Sequence, residues 1–385
     1  MSDSEPRRRR RKPKSLSERV PYDVVIDILS RLPVKSLIRF RCVSKSWYST
    51  ITDPLFITKH YNLNSKAKSL SSYNNHNGFL LYIDHKQLYT AACNDDPTLT
   101  LTEVCRFQIP FPVDMVDYCN GMFLIFRSRG TLIYLWNPSI QKHKMLMLAD
   151  GRNGFSLGLA YHFQNNDFKI LKIVCNNKGP RFEAKVYALS TDLWRRIEFL
   201  VESIPNLGSI LDIQYEPFLF FNGDLHFMAY TRGKNNTNNF ILSFDVNDEI
   251  FREIRLPENY LDGFIFVDRV IHRLVVFKGS LVLIVFGLPD SPVYEDGEVL
   301  DKCDIWVMGQ YGVVESWTKK TVGLKRIKNF FGCTESGQLL IIMRLGRMVS
   351  YDPESLYDNN IGIPSPNWMA YTTDLMESLV LLDHK

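Results

Sequence analysis

Residues 154–158 read GFSLG, a match to G-x-S-x-G, the pattern that sets a serine nucleophile on a sharp turn between a strand and a helix. Here Asn153-Gly154 precedes Ser156, and the following LAYHF alternates like a strand rather than a helix, so Ser156 reads as an ordinary strand residue. The eight histidines, His60, His76, His85, His143, His162, His226, His272 and His384, occur singly without the H-x-x-x-H spacing that puts two rings on one helix face. They read as hydrogen-bonded polar residues rather than metal ligands. The seven cysteines, at 42, 93, 105, 119, 175, 303 and 333, are odd in number, scattered and free of C-x-x-C, so neither a disulfide framework nor a zinc site is expected. No glycine-rich phosphate cradle is present, and Asp95-Asp96 lies in turn-like sequence. The chemistry that remains is binding, with no catalytic residue, metal or cofactor expected.

Charge narrows the partner. The 385-residue chain carries a formal net charge of +4, but MSDSEPRRRRRKPK at residues 1–14 holds seven Lys or Arg against Asp3 and Glu5, so the remainder is close to neutral. A nucleic-acid-binding body is not expected from it. Two readings of the run Arg7 to Lys12 stand side by side: a nuclear-import or polyanion-binding tail, and a solvated terminus without a dedicated role. The most apolar stretch, LVVFKGSLVLIVFGL from Leu274, is interrupted by Lys278-Gly279 and is shorter than the ~20 residues a membrane span needs. It reads as two buried strands joined at KGS. No secretory leader is recognisable and no membrane contact is expected; the N-x-T triplet at Asn235–Thr237 needs a secretory route of which there is no other sign. The expected compartment is reducing: nucleus, cytoplasm or both.

The elements that must present a binding surface fall into two unlike parts. After a basic tail at 1–18, residues 19–62 carry helical spacing. Val24, Val25, Ile28, Leu29 and Leu32 lie on one face, with Pro21 in the first turn and Pro33 as the stop. A second helix from about Val34 carries Leu37, Ile38, Phe40 and Val43. Ser44 caps a third with Trp47 and Ile51. Asp53-Pro54 starts a short fourth with Leu55 and Phe56. Arg31, Lys35, Arg39, Arg41 and Lys45 frame these apolar residues, and no Asp or Glu falls between Asp27 and Asp53. So small a module rarely buries enough surface alone, so it either packs on the rest of the chain or offers an apolar face to an acidic partner.

Residues 63–78, LNSKAKSLSSYNNHNG, read as a polar linker, and 79–385 as a large all-β body. A degenerate unit recurs there, an apolar strand, a polar turn and a second strand. Aligning LIYLWNPSIQKHKMLM, AKVYALSTDLWRRIEF, FILSFDVNDEIFREIRLP, CDIWVMGQYGVVESWTKKTV and GRMVSYDPESLY on Tyr134, Tyr187, Phe244, Trp306 and Tyr351 gives spacings of 53, 57, 62 and 45. A weaker copy is FLLYIDHKQLYTA from Phe79. Propeller blades repeat every ~40–50 residues, with insertions in loops. The expected fold is therefore three to four short helices followed by a closed β-propeller-like ring, with stacked sheets as the alternative. The apolar ESLVLL from Glu377 is expected to close the ring.

The stretch VPYDVVIDILSRLPVKSLIRFRCVSKSWYSTITDPLF resembles an F-box, the adaptor-binding motif of cullin-based ubiquitin ligases, in its plant form. The phrases CNG at Cys119, WNPS at Trp136, VYALSTDLWRRI at Val186, NGDLHFMA at Asn222, ILSFDVNDEIFREIRLP at Ile241, IWVMGQYGVVESWTK at Ile305 and MESLVLL near the end resemble the F-box-associated region of plant F-box proteins. Self-incompatibility-locus F-box proteins, which bind a ribonuclease, share this architecture. The resemblance implies that Val20, Pro21, Val24, Ile28, Leu29, Leu32, Pro33, Leu37, Phe40, Val43, Lys45 and Trp47 build the helical packet or contact a Skp-type adaptor, and through it a cullin. Val20 stands where the family usually has Leu, a shorter contact that is expected to lower affinity. The implied role is the substrate-recognition subunit of an SCF-type ligase; the alternative is an interaction protein that uses its F-box without ubiquitin transfer.

A target protein is expected on long polar loops, because loops on a rigid scaffold are where recognition surfaces are usually placed. YNNHNG at Tyr73, NNKGPR at Asn176, RGKNNTNN at Arg232 and PDSPVYEDGEVLDK at Pro289 qualify. The preferred candidate is the third, through Arg232, Lys234, Asn235, Asn236 and Asn238, which has no apolar side chain to pack inward.

Overall fold

The computed structural model describes residues 20–71, 78–93, 99–113, 115–127, 130–148, 155–175, 182–198, 204, 210–214, 216–231, 239–266, 269–292, 294–295, 298–324, 327–364, 366–372 and 376–382. Four helices come first. Helix α1 (Tyr22–Ser30) starts at Pro21, and its last turn closes as Leu32 N donates to Leu29 O just before Pro33. Helix α2 (Val34–Phe40) starts at Pro33, which has no side-chain oxygen to cap it. Helix α3 (Lys45–Ile51) is capped by Ser44 Oγ, which accepts from Trp47 N at 3.2 Å. Helix α4 (Pro54–Ser71) follows Asp53, whose carboxylate accepts from Leu55 N at 2.8 Å.

Helix α4 corrects two expectations. It is 18 residues long rather than short, and it runs through 63–71, the first part of the segment read as linker. Tertiary anchoring overrides the polar composition. His60 is buried with Nε2 2.9 Å from Leu32 O, and Tyr61 packs on Tyr161 and Phe168 at ring-centroid distances of 4.7 and 6.4 Å. Lys66, Ala67, Lys68 and Leu70 then continue the helix as good helix formers.

The rest is a ring of six antiparallel sheets. The first blade contains β1 (Gly78–Asp84), β2 (Gln87–Cys93) and β3 (Leu101–Gln108). The second is β4 (Met115–Cys119), β5 (Met122–Phe126), β6 (Leu132–Asn137) and β7 (Lys142–Met147). The third is β8 (Phe155–His162), β9 (Asp167–Cys175), β10 (Phe182–Ala188) and β11 (Leu193–Ile197). The fourth has its inner strand broken into β12 (Ile210–Ile213) and β13 (Leu219–Phe221), followed by β14 (Asp224–Thr231), β15 (Phe240–Asp245) and β16 (Phe251–Arg255). The fifth is β17 (Ile271–Phe277), β18 (Ser280–Gly287), a small hairpin of β19 (Tyr294–Glu295) and β20 (Glu298–Val299), then β21 (Asp301–Met308) and β22 (Trp317–Leu324). The sixth is β23 (Ile327–Cys333), β24 (Leu339–Met343), β25 (Arg347–Asp352) and β26 (Tyr357–Pro364). Strand β27 (Trp368–Thr372) returns to β1 as the inner strand of the first blade, with Phe79 opposite Thr372 and Ile83 opposite Trp368. The inner strands β27, β4, β8, β13, β17 and β23 touch in that order around the ring.

The repeat read from sequence maps onto this ring. Tyr134, Tyr187, Phe244, Trp306 and Tyr351 all occupy the third strand of their blades. FLLYIDHKQLYTA, however, spans β1 and β2, one strand earlier than the other copies, because the first blade takes its inner strand from the far end of the chain. The second correction to the ring concerns its closure: β27 makes it, while residues 376–382 form no strand. The stretch from Leu274 is two paired strands joined by Lys278 and Gly279 with φ of 47° and 72°. Asn120-Gly121 and Asn222-Gly223 make the same left-handed two-residue turns after β4 and β13, the geometry whose twist suits a hairpin.

Candidate functional site

The helical module sorts the residues implied by resemblance into two groups. Leu29 and Leu37 are buried and form its core with Val34, Ile51, Phe56 and Ile57. Leu32, Phe40 and Trp47 are half-buried against that core, with the Phe40 and Trp47 rings edge to face at 5.2 Å. Val24, Ile28 and Val43 are exposed, at 46%, 53% and 64%, although all three are apolar. Pro21, Pro33 and Lys45 are exposed as well, and Val20 is half-buried. Tyr22, Tyr48 and Leu55 add to the exposed apolar surface; of these only Leu55 was named from the sequence, as an apolar residue of the fourth helix rather than as part of a surface. Their helical spacing was visible, but only the packing shows which side of each helix stays uncovered. The Tyr22 hydroxyl lies 2.8 Å from Thr50 Oγ1, which draws the start of α1 against α3. Arg31, Lys35, Arg39 and Lys45 are exposed around this surface, and the Arg41 guanidinium lies over the Tyr48 ring at 4.8 Å. Among cations near it, only Arg31 and Lys59 face a carboxylate in the described residues, that of Asp27, which the Arg31 hydrogen bond holds below the usual carboxylate range. The surface can bury apolar groups while its cations meet acids.

The module docks on one end of the ring. In blades two to six the turns between strands one and two, and between strands three and four, share that end, as does the connection between strands three and four of the first blade. Tyr61 packs there against the turn end of the β8–β9 hairpin, and residues 376–382 lie over blades two and three. The missing part of the module's core is therefore partly supplied by this chain itself, through Leu379 and Leu382. The module thus packs on the body through one set of apolar residues and leaves Val24, Ile28 and Val43 exposed.

The far end of the ring carries the turns between strands two and three, and the crossovers between blades. Three of the four polar loops join strands at this end: 176–181 joins β9 to β10, 232–239 joins β14 to β15, and 288–300 joins β18 to β21. Arg232, Lys234, Asn235, Asn236 and Asn238 lie outside the described residues, as do Tyr73 to Asn77 and Asn176 to Arg181. Asn239, at the described end of its loop, donates from Nδ2 to the buried Tyr260 hydroxyl at 3.0 Å. That ties the residue before β15 to the crossover 256–270. On this crossover Ile265 and Phe266 are exposed, and Ile265 N donates to the carbonyl of exposed Leu288 at 3.2 Å. The Arg269 guanidinium lies over the Phe266 ring. A small apolar patch at this end of the ring thus faces away from the helices, and no sequence pattern marked it.

Ser156 is the second residue of β8, 1% exposed, and its Oγ donates to Gln214 O at 2.7 Å. A strand, β9, follows instead of a helix. The second glycine of the motif has a packing reason: a Cβ on Gly158 would lie 2.6 Å from Phe218 Cδ2, and Phe218 stacks on Phe227. The central channel holds a cavity of about 470 Å³ lined by β4, β13, β17, β23 and β27. Its main polar feature is Arg273, which donates from Nε and Nη2 to Asn329 Oδ1 at 3.1 and 2.7 Å and pairs with Glu216 at 2.5 Å. Burial raises the Glu216 carboxyl pKa and lowers that of Arg273, each opposed by the other's charge. These contacts join blades four, five and six and leave the arginine satisfied. Among the described residues no group of three His, Cys, Asp or Glu is placed to hold a metal, and no helix is long and apolar enough to cross a membrane.

A family model described as F-box associated beta propeller domain matches residues 57–363, and one described as F-box domain matches residues 18–59. The chain belongs to the F-box-associated β-propeller family. Its similarity to Arabidopsis thaliana relatives runs nearly end to end. F-box protein CPR1 is 28% identical, over 95% of this chain and 89% of its own length. Another Arabidopsis F-box protein is 27% identical, over 91% of this chain and 89% of its own. An F-box/kelch-repeat protein from the same plant is 25% identical over 78% of each chain. The α-helical module is thus an F-box, and the ring is its associated propeller. F-box domains as a class bind Skp-type adaptors.

Proposed function

We propose that this chain is the substrate-receptor subunit of an SCF-type ubiquitin ligase. The observation that carries the reading is the pair of faces at opposite ends of one closed ring. The F-box end exposes Val24, Ile28 and Val43 among cations, suited to an acidic adaptor, and the far end carries the polar loops and the Ile265–Phe266–Leu288 patch, suited to a target. The chain itself makes no bond in this role. It raises the effective concentration of target lysines beside a charged conjugating enzyme, so catalysis by proximity is supplied in trans.

The test is the double variant Val24→Asp, Ile28→Asp. Both positions are exposed, so the F-box keeps its fold, while each apolar contact withdrawn from an interface costs roughly 1.5–3 kcal/mol before the cost of burying a carboxylate. Adaptor co-purification is expected to disappear and bound targets to accumulate undegraded. Undiminished adaptor recovery overturns the assignment. Adaptor binding without stabilisation of any captured protein returns the chain to a non-degradative interaction role. Shortening 232–239 to a glycine-containing turn is expected to cut target ubiquitination and spare adaptor binding. Deleting residues 1–14 is expected to shift a fluorescent fusion toward the cytoplasm if the Arg run directs nuclear import.

A further inference from the structure

Two phrases that the ligase role does not use, WNPS at Trp136 and MESLVLL at Met376, meet in space although about 240 residues separate them. Asn137, fully buried at the end of β6, places Nδ2 2.9 Å from Ser378 O, 3.1 Å from Ser378 Oγ and 2.8 Å from Val380 O. Its Oδ1 accepts from Ser139 N at 3.0 Å, so one amide holds both the local turn and the distant segment. Lys142 Nζ donates to Leu382 O at 3.2 Å. The turn beneath is Asn120-Gly121, and a Cβ on Gly121 would overlap the Met376 carbonyl oxygen, so the segment crosses where only glycine leaves room.

The other side of the same segment enters the F-box. Leu379 is 0% and Leu382 4% exposed in a cluster with Leu29, Val34, Leu37 and Phe56. Glu377 Oε2 accepts from Val34 N at 3.1 Å. That N–H is an unpaired donor of the first turn of α2, where Pro33 offers no cap, and the carboxylate also suits the positive helix end. Leu381 is held at φ 73°, a conformation unfavourable for any residue with a Cβ, and it is 1% exposed in the core of blades two and three. Neighbouring side chains therefore point into two different cores.

We propose that Met376–Leu382 is a strap that completes the F-box core and locks the adaptor face at a fixed orientation to the propeller. Helix α4 alone would be one attachment, about which the F-box could swing. The strap is a second, from the other end of the chain, and two attachments remove that rotation. It is separate from ring closure, because β27 ends at Thr372. The lock is a property of the chain by itself; its use, holding the target at a set distance from the conjugating enzyme, rests on the ligase reading.

Hydrogen exchange tests it, comparing the native sequence with Asn137→Ala and with a chain ended after Thr372. In both variants the α1–α3 amides are expected to exchange about tenfold faster or more, while blades four to six keep their protection. Unchanged exchange in α1–α3 overturns the proposal, and so does equal loosening of blades four to six, which would make the segment ordinary ring core. If the truncated chain fails to fold, Asn137→Ala, which keeps every strap residue, decides alone. In a reconstituted ligase the same variants are expected to bind adaptor and target yet extend shorter ubiquitin chains. A chain with no ligase activity in any form would remove the ligase reading and leave the exchange result standing.

Discussion

His272 lies between the rings of Tyr230 and Tyr260, 5.7 Å from each, and its Nε2 has no hydrogen-bond partner among the described residues. Burial pushes its pKa down to about 4, with the Arg273 charge adding to the shift. The unfolded chain, with a histidine near 6.5, binds more protons between these values, so the stability linked to His272 is full above pH 6.5 and is lost as pH falls toward 4. His226 is depressed to about 4 in the same way, mainly by burial. Asp117 works in the opposite direction. Its buried carboxyl is raised to about 7 despite accepting from Leu159 N and Tyr118 N, so protonation of this group favours the fold as pH drops. The His272→Phe variant isolates one of these contributions, since Phe keeps the ring packing and gives up no hydrogen bond made by Nε2. Urea titrations at pH 7 and pH 4.5 are expected to show the variant losing less stability on acidification, by up to about 3 kcal/mol. Equal losses in both proteins refute the assignment. None of the eight histidines could be placed in the core from sequence, because a lone histidine carries no period and its burial depends on what packs around it.

At the scale of elements, the F-box shows how far local signals reach. Pro21, Ser44 and Asp53 mark helix starts and Pro33 the end of the first helix; the structure has α1, α3 and α4 beginning next to the first three and α1 ending before Pro33, which also turns out to be the N-cap of α2. The end of α4 was not legible, because Tyr61 and His60 are anchored by residues of the propeller and of the link between α1 and α2. Which apolar residues of α1–α3 face inward was legible only in part. Leu37 and Ile28 are both apolar and both implied by the resemblance, yet one is buried and the other is 53% exposed. The Leu37→Ala variant is expected to destabilise the F-box by about 2–5 kcal/mol, seen as an early loss of helical circular dichroism on heating. The exposed-face double variant is expected to melt like the native protein. If Leu37→Ala melts normally as well, the core assignment for Leu37 is wrong.

For the whole molecule, ring closure is the cooperative step. Strand β27 pairs with β1 over five residue pairs, and its Met369 is 3% exposed. A chain ended at Pro364 loses both β27 and the strap, and leaves β1 as an open edge. Its ring is expected to lose roughly 3–5 kcal/mol, from the burial of Trp368 and Met369 alone, and to self-associate. The chain ended after Thr372 keeps closure and is expected to stay monomeric. Light scattering and thermal melts of the two chains distinguish these outcomes; equal behaviour would mean that the strap, not β27, holds the ring shut.

The recurring strand–turn–strand unit, the helix-start residues and the two-residue Gly turns are local, and they determined from sequence that a module of three to four short helices precedes an array of β blades, with closure into a ring expected over stacked sheets. Each blade buries its faces only against its neighbours, so the repeat itself required an array. Three things were left to the tertiary structure. ESLVLL is apolar enough for a closing strand, but its hydrogen bonds go to Asn137 and Val34 rather than to a sheet. The polar tract after Asn62 begins as helix because of contacts made by Tyr61 and His60 before it. The apolar patch of Ile265, Phe266 and Leu288 arises where a crossover meets the end of β18 in the neighbouring blade. In every case the deciding partner lies far along the chain, where neither propensity nor periodicity carries information.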